Sequence, residues 1–275
     1  MTDFLPAWSE PFHGTSLGAA PHLDLPGRIT REWAYGDGSG RGVKVGVLDS
    51  GVEDGHPLVG RVDRAIAVER DTDAENGIRF IEAPHDDLYG HGTACAGVIR
   101  ALAPEVEIVS VRVLSVNLKG SAFVFAHGLE WCIDNGLHVL NLSLSTGNED
   151  FAETFWELLD HAAFKRVMLV SAMNNEPKRS IPSEFAGVFS VACAPGTDRE
   201  RLWYNPNGPA EWGAAGIDVD VPWSGGGTIN ASGNSFAAPV IAGHLARILG
   251  AHPGIAPWQA RTILAALAEN GSALD

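Results

Sequence analysis

VKVGVLDS, residues 43–50, stays apolar from Val45 to Leu48 and ends on Asp49, just before Gly51. A half-exposed strand would alternate; a continuous run suits a strand buried on both faces, as in a parallel sheet. VMLVSA (167–172) and the VLNLSL run within 137–145 read the same way, with further short runs at EIVSVRVL (107–114) and GVFSVACA (187–194). Segments of helical period lie between them: HGTACAGVIRAL (91–102), AFVFAHGLEWCIDNG (122–136) and FAETFWELLDHAAF (151–164). The alternation predicts an α/β fold in three layers, a central mostly parallel sheet with helices on both faces and right-handed crossovers. Such sheets bind ligands beyond the carboxyl ends of their strands, so the polar residues that close these runs carry the chemistry.

The chain has 275 residues, 45% hydrophobic and 19% charged, a globular composition. Its 19 basic and 34 acidic residues give a net charge of −15, which repels nucleic acid and anionic membrane surfaces. No apolar run reaches the length of about 18 residues that spans a bilayer. MTDFLPAWSE at the N-terminus lacks a basic start followed by an apolar run, so no secretory signal is read and a cytoplasmic location is expected. Residues 1–28, rich in Pro, Gly and His, read as an N-terminal extension, and 29–275 as one domain. Cys95, Cys132 and Cys193 are odd in number without CxxC spacing; they read as buried free thiols, with one disulfide as the alternative. GDGSGRG (36–42) and SGGG (224–227) lack phosphate-cradling spacing and read as loops.

Asp49 at a strand end, His91 in YGHGTACAG and Ser235 in SGNSFAAP (232–239) are each ordinary alone: a turn former, a helix cap, another helix cap. Together they are what acyl transfer requires. A hydroxyl attacks, an imidazole takes its proton, and a carboxylate orients the imidazole and stabilises its charged form.

Three local motifs in this order, VGVLDSGVEDGHP, GHGTACAG and SGNSFAAP, resemble the subtilisin-like serine peptidases. The resemblance runs from about Ile29 to Asn270 and implies that family's fold and endopeptidase activity. It implies Asp49 as orienting acid, His91 as general base and Ser235 as nucleophile. The turn MNNE after VMLVSA aligns Asn175 with the family's oxyanion-hole asparagine, leaving Asn174 where a glycine is usual. Asparagine tolerates positive φ, so a left-handed turn is expected at Asn174, its side chain toward the primary specificity pocket. The opposite wall should be Ser143, Leu144 and Ser145, with Ser145 again in a glycine position. Both departures fill the pocket and suggest a small residue before the scissile bond.

Leu118, Lys119 and Gly120 should accept a protein or peptide substrate as an added strand. Lys119 reads as an exposed lysine, or as a preference for an acidic residue two or four positions before the cut. Ala122, often bulky in the family, suggests a more open further pocket. The direct passage from VIRAL to APEVEIV omits the loop of the family's tight calcium site, so no metal and no cofactor are expected. Asp86–Asp87 and Asp71/Asp73 read as solvated turns, and His91 with Cys95 lacks a third ligand. The resemblance places Cys95 beneath His91, open to mercurials. Residues 1–28 alone precede the matching region, so a member without the family's usual long prodomain is expected, with FLPAW (4–8) either surface-packed or a short inhibitory segment. Limited cleavage of a specific protein or precursor (leader) peptide is the expected role. The alternative is a catalytically silent peptide-binding scaffold on the same fold; the oligomeric state is left open.

Overall fold

The computed structural model describes residues 25–271. FLPAW and most of the N-terminal extension lie outside the described residues.

Nine strands form one sheet in the order β3-β2-β4-β1-β5-β6-β7-β9-β8. These are β1 (Lys44–Asp49), β2 (Arg64–Arg70), β3 (Ile78–Glu82), β4 (Glu107–Arg112), β5 (Val139–Leu142), β6 (Met168–Ala172), β7 (Phe189–Ala194), β8 (Leu202–Tyr204) and β9 (Trp212–Ala215). From β2 to β9 every pairing is parallel, and only the edge strands β3 and β8 run antiparallel to their neighbours. The continuous apolar runs are explained by the two cores that sandwich this sheet. Val45 and Val47 of β1 face one and Leu48 the other.

One face is covered by α1 (Arg31–Tyr35), α2 (His91–Leu102), α5 (Asn234–Ala251) and α6 (Pro257–Leu267), whose apolar side chains join Val45, Val47, Met168 and Val170. The other is covered by α3 (Ala122–Asp134) and α4 (Ala152–Phe164), packed on Leu48, Leu140, Leu142 and Leu169. A short hairpin, β10 (Val219–Trp223) with β11 (Gly227–Ala231), leads into α5. Helix starts follow local chemistry. Ser121 caps α3 by accepting from Val124 N–H at 3.2 Å, and α6 opens on a proline while Gln259 accepts from Ala256 N–H at 2.8 Å.

All three cysteines are free; Cys95 and Cys132 are buried, while Cys193 is only half-buried. Among the described residues no helix is long and apolar enough to cross a membrane.

Candidate active site

β1 delivers Asp49 to the carboxyl edge of the sheet, fully buried, and α2 begins at His91 directly above it. The approach depends on two glycines. Gly90, with φ 112°, turns the chain into the helix, and a Cβ on Gly92 would lie 1.9 Å from Gly51 O. His91 Nδ1 lies 2.9 and 2.8 Å from the two Asp49 oxygens, which assigns its proton to Nδ1 and leaves Nε2 as acceptor. Asp49 Oδ1 also accepts Ser50 N–H at 2.7 Å, with Ser50 Oγ 3.2 Å away. Burial opposes the imidazolium of His91, but the charge and hydrogen bond of Asp49, with the charge of Asp87, outweigh it and raise the pKa above its ordinary value.

Asp87 is no solvated turn. Its Oδ1 accepts from Ser50 Oγ (2.7 Å), Tyr89 N (3.0 Å) and Gly90 N (2.8 Å), and its Oδ2 from Thr93 N (2.8 Å) and Thr93 Oγ1 (2.6 Å). It satisfies the first turn of α2 and, through Ser50, supports Asp49. In the sequence Asp87 is only an acid in a loop four residues before His91; its burial is decided by the fold. Asp71, by contrast, closes a local turn by accepting from Asp73 N at 3.0 Å.

Ser235 sits in the first turn of α5, half-buried, with Pro239 four residues on. Proline has no N–H, so Ser235 O lacks its intrahelical donor. That carbonyl instead accepts from Ser143 Oγ at 2.8 Å and, more weakly, Cys95 Sγ at 3.6 Å, while Asn141 Nδ2 donates to Ser143 Oγ at 2.9 Å. Ser143 is therefore 8% exposed, and its hydroxyl ties down the Ser235 backbone instead of facing a ligand. Ser235 Oγ makes no hydrogen bond to His91 among the described residues, although both line one cavity.

Asn175 Oδ1 accepts from Asn234 N at 2.9 Å, which fixes the carboxamide with Nδ2 outward. Nδ2 has no hydrogen-bond partner among the described residues, and neither has Ser235 N–H. A methyl on Gly233 would lie 3.3 Å from Ser235 Oγ and 3.6 Å from Asn175 Nδ2, so the two groups flank one point. Two unpartnered donors beside a hydroxyl form a site for developing negative charge on oxygen.

Every residue predicted for the site except buried Asp49 lines a single groove of about 530 Å³. Leu118, Lys119 and Gly120 form one rim, Leu144 and Ser145 the facing one, and Asn174 with Asn175 the end. Leu118 adopts φ 57° in a turn closed by Ser115 N–H to Lys119 O at 2.9 Å. A Cβ on Gly120 would lie 2.8 Å from Val113 O and 2.8 Å from Leu114 Cδ2, so a side chain there displaces the rim. Gly120→Ala is expected to raise KM for an extended peptide about tenfold or more with a smaller change in kcat, measured by steady-state kinetics. The far wall is pinned by Thr146 and Ile181, which exchange hydrogen bonds of 2.8 and 2.9 Å.

Two further expectations are corrected. Asn174 is not left-handed: its N–H donates to Ser180 Oγ (2.8 Å) and its Oδ1 accepts from Glu176 N (3.0 Å), an Asx turn that needs no positive φ. Its side chain lines the groove with the oxygen folded back onto the backbone. His91 and Cys95 do have a third donor nearby, since Asp49, His91 and Cys95 bring ligand atoms within 4.8 Å of one another. Asp49 already bonds His91, Cys95 Sγ lies 3.9 Å from Asp49 Oδ2, and burial, with the charge of Asp49, raises the Cys95 thiol pKa well above its usual value, against thiolate formation.

The subtilase family profile matches residues 40–274. The thermostable alkaline protease of Halalkalibacterium halodurans is 32% identical over 236 residues, 81% of this chain and 61% of that protein's length. Subtilisin Savinase of Lederbergia lenta is 30% identical over 239 residues, 82% of this chain and 83% of its own. A crystal structure of a cold adapted subtilisin-like serine proteinase superposes with a TM-score of 0.63 at 26% identity, covering 81% of this chain and 80% of that one. Motif order, sheet topology and sequence similarity over most of the chain agree, and the chain belongs to the subtilase family.

Proposed function

We propose that the protein is a serine endopeptidase that cleaves peptide bonds through an acyl-enzyme on Ser235. The observation that carries the reading is that Asn175 Nδ2, without a partner among the described residues, and the Ser235 hydroxyl flank one point in a groove shared with a histidine held by a buried carboxylate. Ser235 Oγ attacks the scissile carbonyl as His91 Nε2 takes its proton, and Asp49 stabilises the imidazolium. The tetrahedral oxyanion accepts from Ser235 N–H and Asn175 Nδ2. His91 then protonates the leaving amine, and water, activated by the same base, releases the acyl group. The peptide lies as an added strand along Leu118–Gly120. A fluorophosphonate probe tests the reading: wild type is labelled and Ser235→Ala is not, whereas an unlabelled wild type points to a silent scaffold.

The pocket for the residue before the scissile bond is bounded by Leu144, Ser145 and Asn174, with Thr146 held against Ile181. Side chains at 145 and 174 take volume from it, and the Thr146 pairing resists widening. We infer a preference for Gly, Ala or Ser there, and limited cleavage of a specific protein or precursor peptide over general digestion. A peptide with Ala before the cut is expected to show kcat/KM about tenfold or more above its Phe counterpart. Faster cleavage after Phe refutes the preference, and a cleavage-site profile on a proteome-derived peptide library checks both.

A further inference from the structure

We propose that Asn234, the residue before the nucleophile, is a positioning residue that aims both oxyanion donors, a role that rests on the peptidase reading. Its two halves grip the same turn from opposite sides. The backbone N–H of Asn234 donates to Asn175 Oδ1 at 2.9 Å. Its side-chain Nδ2 donates to Met173 O at 3.1 Å and Asn174 O at 3.5 Å, and its Oδ1 accepts from Cys193 N–H at 2.9 Å.

These contacts tie the start of α5 to the ends of β6 and β7, two strands already paired in the sheet. The 173–175 turn leaves β6, Cys193 belongs to β7, and Asn234 is the first residue of α5. The helix has no side-chain cap at Gly233, so the Asn234 carboxamide is what anchors its first turn to the ends of the two strands. Met173 N–H is already bonded to Val191 O at 2.9 Å and Asn174 N–H to Ser180 Oγ at 2.8 Å. The turn is thus held from below by the sheet and from above by Asn234.

The two donors belong to different sides of this joint. Asn175 Nδ2 is carried by the turn after β6, and Ser235 N–H by α5, one residue past Asn234. Their separation and angle are set by the links between turn and helix: Asn234 N–H to Asn175 Oδ1, which a change of side chain keeps, and the Asn234 carboxamide to Met173 O and Asn174 O, which it removes. Oxyanion stabilisation depends on donors placed for the transition state, and a displacement of about 1 Å costs on the order of 100-fold in rate. The carboxamide need not touch substrate to act: its oxygen and nitrogen are both engaged by backbone.

A double-mutant cycle with Asn175→Ala, Asn234→Ala and the pair, each corrected for active sites by fluorophosphonate titration, tests this. Asn175→Ala is expected to lower kcat about 100-fold or more. Asn234→Ala should lower kcat about tenfold or more with KM within about twofold, and the pair should be no slower than Asn175→Ala within about threefold, because the second change acts through a donor already gone. A peptide aldehyde, which forms a tetrahedral adduct on the serine, should lose affinity in step with kcat/KM, while a product peptide binds as before. Asn234→Asp keeps the acceptor for Cys193 N–H but turns a carboxylate toward two carbonyls, and should be slower than Asn234→Ala. Losses that multiply in the pair, or a lower melting temperature with unchanged kcat and aldehyde affinity, overturn the positioning role while leaving the peptidase reading intact. Unchanged turnover in both Asn175→Ala and Ser235→Ala overturns both.

Discussion

Ser235→Ala is expected to lower kcat by about 10⁶-fold, the scale known for the triad serine of subtilisin itself and taken over from that relative. Two features of the site make the loss chemical instead of structural. Ser235 Oγ makes no hydrogen bond among the described residues, while the Ser235 carbonyl, which Ser143 holds at 2.8 Å, survives the substitution. Stability should therefore change by less than about 0.5 kcal/mol. KM should stay nearly constant, because the rims at Leu118–Gly120 and Leu144–Ser145 are untouched. Residual turnover above the uncatalysed rate, about 10³-fold, is expected from the donors that remain. Steady-state kinetics on purified variant, with thermal melting in parallel, measures each part; loss of fold together with activity would defeat the argument.

Asp49→Asn should cost about 10⁴-fold in kcat, for a reason visible in the contacts. Asp49 Oδ1 accepts Ser50 N–H at 2.7 Å, so an asparagine keeps its oxygen there and turns its NH₂ toward His91. Two donors then face each other at Nδ1. The ring escapes by moving its proton to Nε2, the nitrogen that must take the proton from Ser235. The pH profile carries an independent sign. His91 must be neutral to act as base, and in the wild type its pKa is raised because the charge and hydrogen bond of Asp49, with Asp87, outweigh burial. Wild-type activity should fall as pH drops through a value above the ordinary 6.5, and the variant's acid limb should lie lower. Stability follows the same linkage. A raised pKa means that the His91 contribution is complete below about pH 6.5 and is lost as pH rises through the folded value, so the variant's melting temperature should vary less across that window.

Much of the fold was legible because burial on both faces leaves a trace in composition. Val45 and Val47 point to one core and Leu48 to the other, and no polar alternation survives. The strands β2, β3 and β8 to β11 left weaker traces: β3 and β8 are edge strands, β8 and β9 are short, β11 is largely exposed, and β2 has only three buried residues between Arg64 and the charged pair Glu69 and Arg70. At the site, Asp49, His91 and Ser235 stood out by residue type and order. Asp87 and Asn234 did not, since an acid in a loop and an asparagine at a helix start are ordinary until their partners, Thr93 and Cys193 among them, are known.

By itself the sequence determined the layered α/β architecture and singled out Asp49, His91 and Ser235 with their motifs, because periodicity and residue type are local properties. Only the tertiary structure decided the direction of side chains whose partners are distant in the chain. Ser143 turns inward because Pro239 leaves a carbonyl without a donor 92 residues away at Ser235. Asn175 presents Nδ2 because Asn234, 59 residues on, occupies its oxygen. In each case an unsatisfied hydrogen-bonding group chose the geometry, and where such a group finds its partner is a property of the folded chain.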